Sequence, residues 1–165
     1  MVAWQIGREP RAFRRAAVRC PWGLPAVTEQ APYDDAGDPF PTTYYLTCRR
    51  LVAAVARVEA AAGVERWAAA VQEDPELKAS LESATAQQRE VRHMLAAGVQ
   101  GRDGGASLDL GIGGGSNTEH LKCLHAHVAF ALIHPDYELG RRILAELAPL
   151  WADDRCCSVN RGATN

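Results

Sequence analysis

The spacing of apolar positions along this chain changes character near residue 49. Before it, short runs rich in β-branched and aromatic residues alternate with turn formers. AFRRAAVR (12–19) and LPAVTEQA (24–31) flank a turn at Cys20-Pro21-Trp22-Gly23, and TTYYLTC (42–48) follows the loop YDDAGDPFP (33–41). This pattern predicts about three strands of a small antiparallel sheet.

From Arg49 the apolar residues recur at helical spacing. LVAAVARVEAAAG (51–63) predicts a helix with Gly63 as its stop, and VERWAAAVQED (64–74) a second. Asp74 then stands as N-cap before Pro75 at the first helical position, opening a third helix that runs to about Ala97. Between Gly98 and Gly115 the pattern dissolves: eight of the fourteen glycines fall in GVQGRDGGASLDLGIGGG. A segment of that length without regular structure suggests either function or disorder. Beyond it, SNTE (116–119) matches a capping box, with Ser116 as N-cap and Glu119 three residues on, and predicts a helix over 117–133. A last helix is expected over Tyr137 to Leu147. The fold class is therefore α+β: a small N-terminal antiparallel sheet of about three strands followed by a mostly helical body, in a single domain over 1–157, with 158–165 expected as a disordered tail.

Composition narrows the class of function. Of the 165 residues, 47% are apolar and 23% charged, and the net charge of −2 gives no basic field to draw nucleic acid or anionic lipid. No apolar run reaches the ~20 residues of a membrane span, and the first residues, MVAWQIGREPRAFRR, lack the apolar stretch of a signal peptide. The expected compartment is the cytoplasm. Of partners, neither membrane nor nucleic acid is expected; a protein partner remains open, since a tryptophan among Trp4, Trp22, Trp67 and Trp151 would serve as an anchor if exposed.

The chemistry worth weighing sits in LKCLHAHVAF (121–130), where a cysteine and two histidines interrupt an apolar run. Five cysteines without an export signal point to thiols rather than disulfides, hence to core filling, metal ligation or nucleophilic chemistry. On a continuous helix Cys123 and His127, at i and i+4, share a face and could hold one ion, with Phe130 on the same stripe. Cys123 and His125 could share an ion only if the helix begins later or is distorted.

The strings GREPRAFRRAAVRCPWGLPAV, PFPTTYYLTCRRLVAAVARVEAA and GIGGG with LKCLHAHVAFAL resemble, in order, the bacterial family called domain of unknown function 501, over about Val2 to Leu150. The family brings no activity. The resemblance implies that the motifs centre on Cys20, Cys48, Cys123 and His125.

The expected function is metal binding with a structural or regulatory role. Zn2+ would be held by Cys20, Cys48 and Cys123, with His127 by helical geometry, His125 by the family motif, or a C-terminal cysteine as the fourth ligand. An iron–sulfur cluster is the lesser variant. Two alternatives belong to other classes. One is a metal-dependent or cysteine-dependent hydrolase, with Asp109 or Glu119 as base or Cys123 as nucleophile. The other is an anion- or phosphate-binding module built from Gly113, Gly114, Gly115, Ser116, Asn117 and Lys122 at a helix N-terminus, although the string matches neither G-x-x-x-x-G-K-[ST] nor G-x-G-x-x-G.

Overall fold

The computed structural model describes residues 1–115, 121–154 and 156–157. Three antiparallel strands pair in the order β1 (Phe13–Arg19), β2 (Pro25–Gln30), β3 (Tyr44–Leu46). Val27 faces Val18 on one side and Leu46 on the other. The middle strand is buried throughout, Thr28, Glu29 and Gln30 included. Glu29 tolerates this because Arg15 of the edge strand binds it with two hydrogen bonds, Nη2 at 2.7 Å and Nε at 3.1 Å. Those bonds pull the Glu29 carboxyl below its ordinary value, while burial opposes them.

Six helices among the described residues complete the fold: α1 (Val2–Ile6), α2 (Arg49–Ala60), α3 (Gly63–Glu73), α4 (Pro75–Leu95), α5 (Leu124–Ala131) and α6 (Glu138–Glu146). None is long and apolar enough to cross a membrane. The α+β class, and the strand-then-helix order beyond the short α1, agree with the sequence pattern. Helix α4 begins as its caps predict, the Asp74 side chain accepting from the Glu76 and Leu77 N–H groups. Its buried residues, Leu77, Leu81, Ala84, Thr85, Gln88 and Arg92, follow the three- and four-residue spacing of one face.

Helix α5 lies at the centre, against β3 on one side and α6 on the other. From Ala126 to Ala131 every residue is buried, as expected of a helix with no polar face. Phe130 packs on Tyr44 of β3 and edge-on to Tyr137, with ring centroids 5.8 and 5.5 Å apart. Helix α6 approaches closely because residue 140 is glycine: a Cβ there would lie 2.5 Å from the Ala131 Cβ.

Three expectations are corrected. Gly63 opens α3 instead of ending the helix before it; the break falls at Ala62, a non-glycine residue in the left-handed region (φ 58°). The glycine-rich stretch is not structureless. It carries 3-10 turns at Ala106–Asp109 and Ile112–Gly114. Asp103 fastens it by accepting hydrogen bonds from Ser107 N–H, Gly105 N–H and the Tyr33 hydroxyl. Buried Arg92 adds a second fastening, donating to Ser107 O and Phe40 O, each at 3.1 Å. Finally, α5 starts at Leu124 rather than near residue 117, since Cys123 is extended (φ −161°, ψ 121°) and serves as its N-cap residue. The capping box of Ser116 and Glu119, and the tail 158–165, lie outside the described residues.

Candidate functional site

The late start of α5 decides which side chains meet. Because Cys123 stands just outside the helix, its side chain is freed from helical spacing and reaches the residue two positions on. Cys123 Sγ lies 3.6 Å from His125 Nδ1. The third member comes from α2, where Leu51 and Val55 form a buried stripe that Glu59 continues one turn later. Glu59 Oε2 sits 3.2 Å from His125 Nδ1, and its other oxygen accepts the Leu124 N–H at 2.7 Å. Glu59, Cys123 and His125 each offer a ligand atom within 4.8 Å of the others, and all three are half-buried.

These spacings match those of ligands on one ion. Zinc bonds of about 2.0–2.3 Å at tetrahedral angles separate nitrogen from sulfur by roughly 3.5 Å and nitrogen from oxygen by roughly 3.3 Å. The second histidine nitrogen is tied as well: Nε2 lies 3.2 Å from Val52 O. A carbonyl accepts only, so Nε2 keeps its proton, and it is the Nδ1 proton, directed at Cys123 and Glu59, that an incoming ion would displace to reach the lone pair. An outer carbonyl that fixes the tautomer is the usual companion of a metal-binding imidazole.

The local field favours positive charge at this point. The hydrogen bond to Cys123 does most to hold His125 up to about 9; attraction to Cys123 and Glu59 and the contact with Val52 O add to it, and burial opposes them. Cys123 and His125 also border a cleft of about 310 Å³ between β3, α2 and α5, whose wall includes Tyr44, Leu46, Val52 and Ala126. Gly113 completes the wall in a left-handed conformation (φ 75°), where a Cβ would stand 3.2 Å from the Ala126 Cβ.

The remaining candidates are distributed elsewhere. His127 is 2% exposed and pairs through Nδ1 with the Tyr137 hydroxyl at 2.7 Å. Burial alone pushes it down to about 4. Cys20, Cys48 and Cys156 are buried around a different cavity, which the exposed Cys157 also borders. Cys48 caps the start of α2 while Glu59 occupies its last turn, roughly 16 Å along the axis at 1.5 Å per residue. The thiols thus fall into two groups instead of converging on one ion with Cys123. Asp109, a candidate base, pairs with His93 on α4 at 2.8 Å. Glu119 lies outside the described residues.

Of the alternative anion cradle, Ser116 and Asn117 lie outside the described residues, and what is described offers little to an anion. The loop from Gly111 to Gly115 is closed on itself, Gly111 N–H donating to Gly115 O and Gly114 N–H to Gly111 O. At the α5 N-terminus the Leu124 N–H already meets a carboxylate, Glu59, beside which an anion would be repelled. Lys122 is exposed.

Sequence reasoning missed Glu59. Its signal was a carboxylate continuing the Leu51–Val55 stripe, where an apolar residue belongs.

A family model described as "Protein of unknown function (DUF501)" matches residues 16–145, a span that takes in Glu59, Cys123 and His125. No curated protein and no solved structure matches the chain.

Proposed function

The chain belongs to the DUF501 family, and since that membership carries no chemistry, we propose from the site itself that the protein binds one divalent metal ion, zinc before others, through Glu59 Oε2, Cys123 Sγ and His125 Nδ1. The observation that carries this reading is the convergence of three ligand atoms of different type within 4.8 Å of one another. One sulfur, one nitrogen and one oxygen make a set of mixed softness that suits zinc better than calcium or magnesium, which prefer oxygen alone.

Three protein ligands leave the fourth position of a tetrahedral ion to water or to a group entering the cleft. Structural zinc sites are closed by four protein ligands; an open fourth position is the arrangement of sites that act on, or sense, a bound molecule. The ion would also join the last turn of α2 to the first turn of α5, so binding and fold stability are coupled.

The cysteine-dependent alternative is less well supported. A nucleophilic cysteine and an orienting carboxylate belong on opposite nitrogens of the histidine between them. Here Cys123 and Glu59 both face Nδ1, and a carbonyl holds Nε2.

Zinc titration of the purified, chelator-treated chain tests the reading. Uptake of one ion at this site, lost in Cys123→Ser and in His125→Ala with the fold retained by circular dichroism, is the expected result. Equal uptake by both variants and the unaltered chain overturns it.

A further inference from the structure

Four of the five cysteines lie outside the site just described, and two of them meet. Cys48, the residue before α2, donates its N–H to Ala26 O at 3.2 Å, so the junction of sheet and helix fixes its backbone. Cys157 lies 109 positions later, beyond α6. The segment leading to it is fastened to α2 by Arg50, which donates through Nε to Leu150 O at 3.3 Å and through Nη2 to Pro149 O at 3.2 Å. The two sulfurs stand 3.8 Å apart, and both residues border one small cavity together with Trp22, Trp151, Cys20 and Cys156. The pair is asymmetric. Cys48 is 4% exposed, whereas Cys157 is open to solvent. Cys20 and Cys156 are buried as well, so of these four thiols Cys157 is the one a solute reaches first.

We propose that Cys48 and Cys157 are a site of reversible oxidation, which a hydroperoxide converts to a disulfide that ties the end of the chain to the start of α2. In the first step the Cys157 sulfur attacks the peroxide. An S–O bond forms, the O–O bond breaks, and the thiol proton leaves with the displaced oxygen as water or alcohol. The sulfur becomes a sulfenic acid, and the peroxide takes up the two electrons. In the second step Cys48 Sγ attacks Cys157 Sγ: the S–S bond forms, the S–O bond breaks, and hydroxide leaves with the Cys48 proton as water. Two thiols and one hydrogen peroxide thus give one disulfide and two waters. Burial assigns the order, since it pushes the Cys48 thiol up to about 11 and keeps it protonated and inert towards the oxidant itself. Cys48 reacts instead with the sulfur already beside it, where proximity replaces a chance encounter. A disulfide needs an S–S separation of about 2.05 Å, so the exposed side chain has only a short distance to close. Where thiols are kept reduced, such a pair is a transient switch and not a permanent framework.

The pair does not involve Glu59, Cys123 or His125, so metal binding there and oxidation here succeed or fail separately. The full chain, reduced and chelator-treated, is exposed to hydrogen peroxide, quenched with an alkylating agent and digested without reductant for mass spectrometry. The expected product is a Cys48–Cys157 cross-link within one chain, reversed by dithiothreitol. Its thermal midpoint should rise by at least about 5 °C, because the bond closes a loop across the 109 positions between the two residues. In Cys48→Ser the reaction should stop at a sulfenic acid on Cys157, trapped by dimedone. Cys157→Ser should lose the cross-link and the peroxide-induced rise, while its reduced form unfolds as the unaltered chain does, because Cys157 is exposed. An unaltered chain that forms no cross-link in excess peroxide overturns the proposal. So does a product in which Cys48 is joined to Cys20, Cys123 or Cys156, or in which two chains are joined, in preference to the Cys48–Cys157 bond.

Discussion

Glu59 accepts the Leu124 N–H at 2.7 Å, so a helix is capped by a carboxylate sixty-five positions earlier in the chain. The same side chain turns its other oxygen to His125. Cap and ligand are therefore one residue, and substitution can separate the two roles. Glu59→Gln keeps an oxygen to accept the Leu124 N–H but loses the charge: zinc affinity should fall by at least about tenfold, with stability nearly unchanged. Glu59→Ala removes the cap as well and should cost a further ~1 kcal/mol in urea unfolding. Equal stability of the two variants would show that the cap contributes nothing.

Two histidines two positions apart should respond to pH in opposite directions. In the metal-free chain His125 is held up to about 9, above its ordinary 6.5. Its stabilising contribution is full below 6.5 and is lost as pH rises through 9. His127 is pushed down to about 4, so its contribution is full above 6.5 and is lost as pH falls through 4. Urea midpoints measured from pH 4 to 9.5 should show both limbs. His125→Ala should flatten the alkaline limb only, and His127→Gln the acid limb only.

Gly113 borders the cleft in a conformation that suits glycine, and its missing side chain leaves room for Ala126. Gly113→Ala should cost about 1–2 kcal/mol through backbone strain and crowding. Pressing on the first turn of α5, it should also weaken zinc binding more than a solvent-facing change such as Lys122→Ala. Comparison of both variants by zinc titration and thermal unfolding checks this.

Arg92 holds the carbonyls of Ser107 and Phe40 from a fully buried position, where desolvation lowers its pKa. Arg92→Met preserves much of the packing but removes both donated bonds, leaving Ser107 O only the longer bond from Leu110 N–H at 3.4 Å, at a cost of roughly 2–4 kcal/mol. Hydrogen exchange should rise first between residues 100 and 110; uniform loss of protection across the chain would argue against a local fastening.

Much of this architecture was legible in the residues. The strands and α2 to α4 follow from period alone, and Asp74-Pro75 marks the start of α4 to the residue. The site was harder to read. Pairing Cys123 with His127 assumes both lie within one helix, and the extended backbone at Cys123 breaks that assumption. No local pattern announces that break, because SNTE resembles a helix start on its own. Glu59 was hidden for another reason: its role depends on α2 and α5 meeting, which is a tertiary fact. The cysteines show the same limit. Residue type marked Cys20 and Cys48 as candidates, but only their placement at the opposite end of α2 from Glu59 separates them from Cys123.

Since Glu59 ends α2 while Cys123 and His125 begin α5, the ligand set is complete only after three-quarters of the chain has emerged from the ribosome. The sheet and α2 can form earlier from nearer neighbours, but the contacts of Glu59 close a loop of more than sixty residues, a slow event in folding. An ion held here would act as a proofreader of assembly, retained by chains whose central helix has docked and lost from those in which it has not.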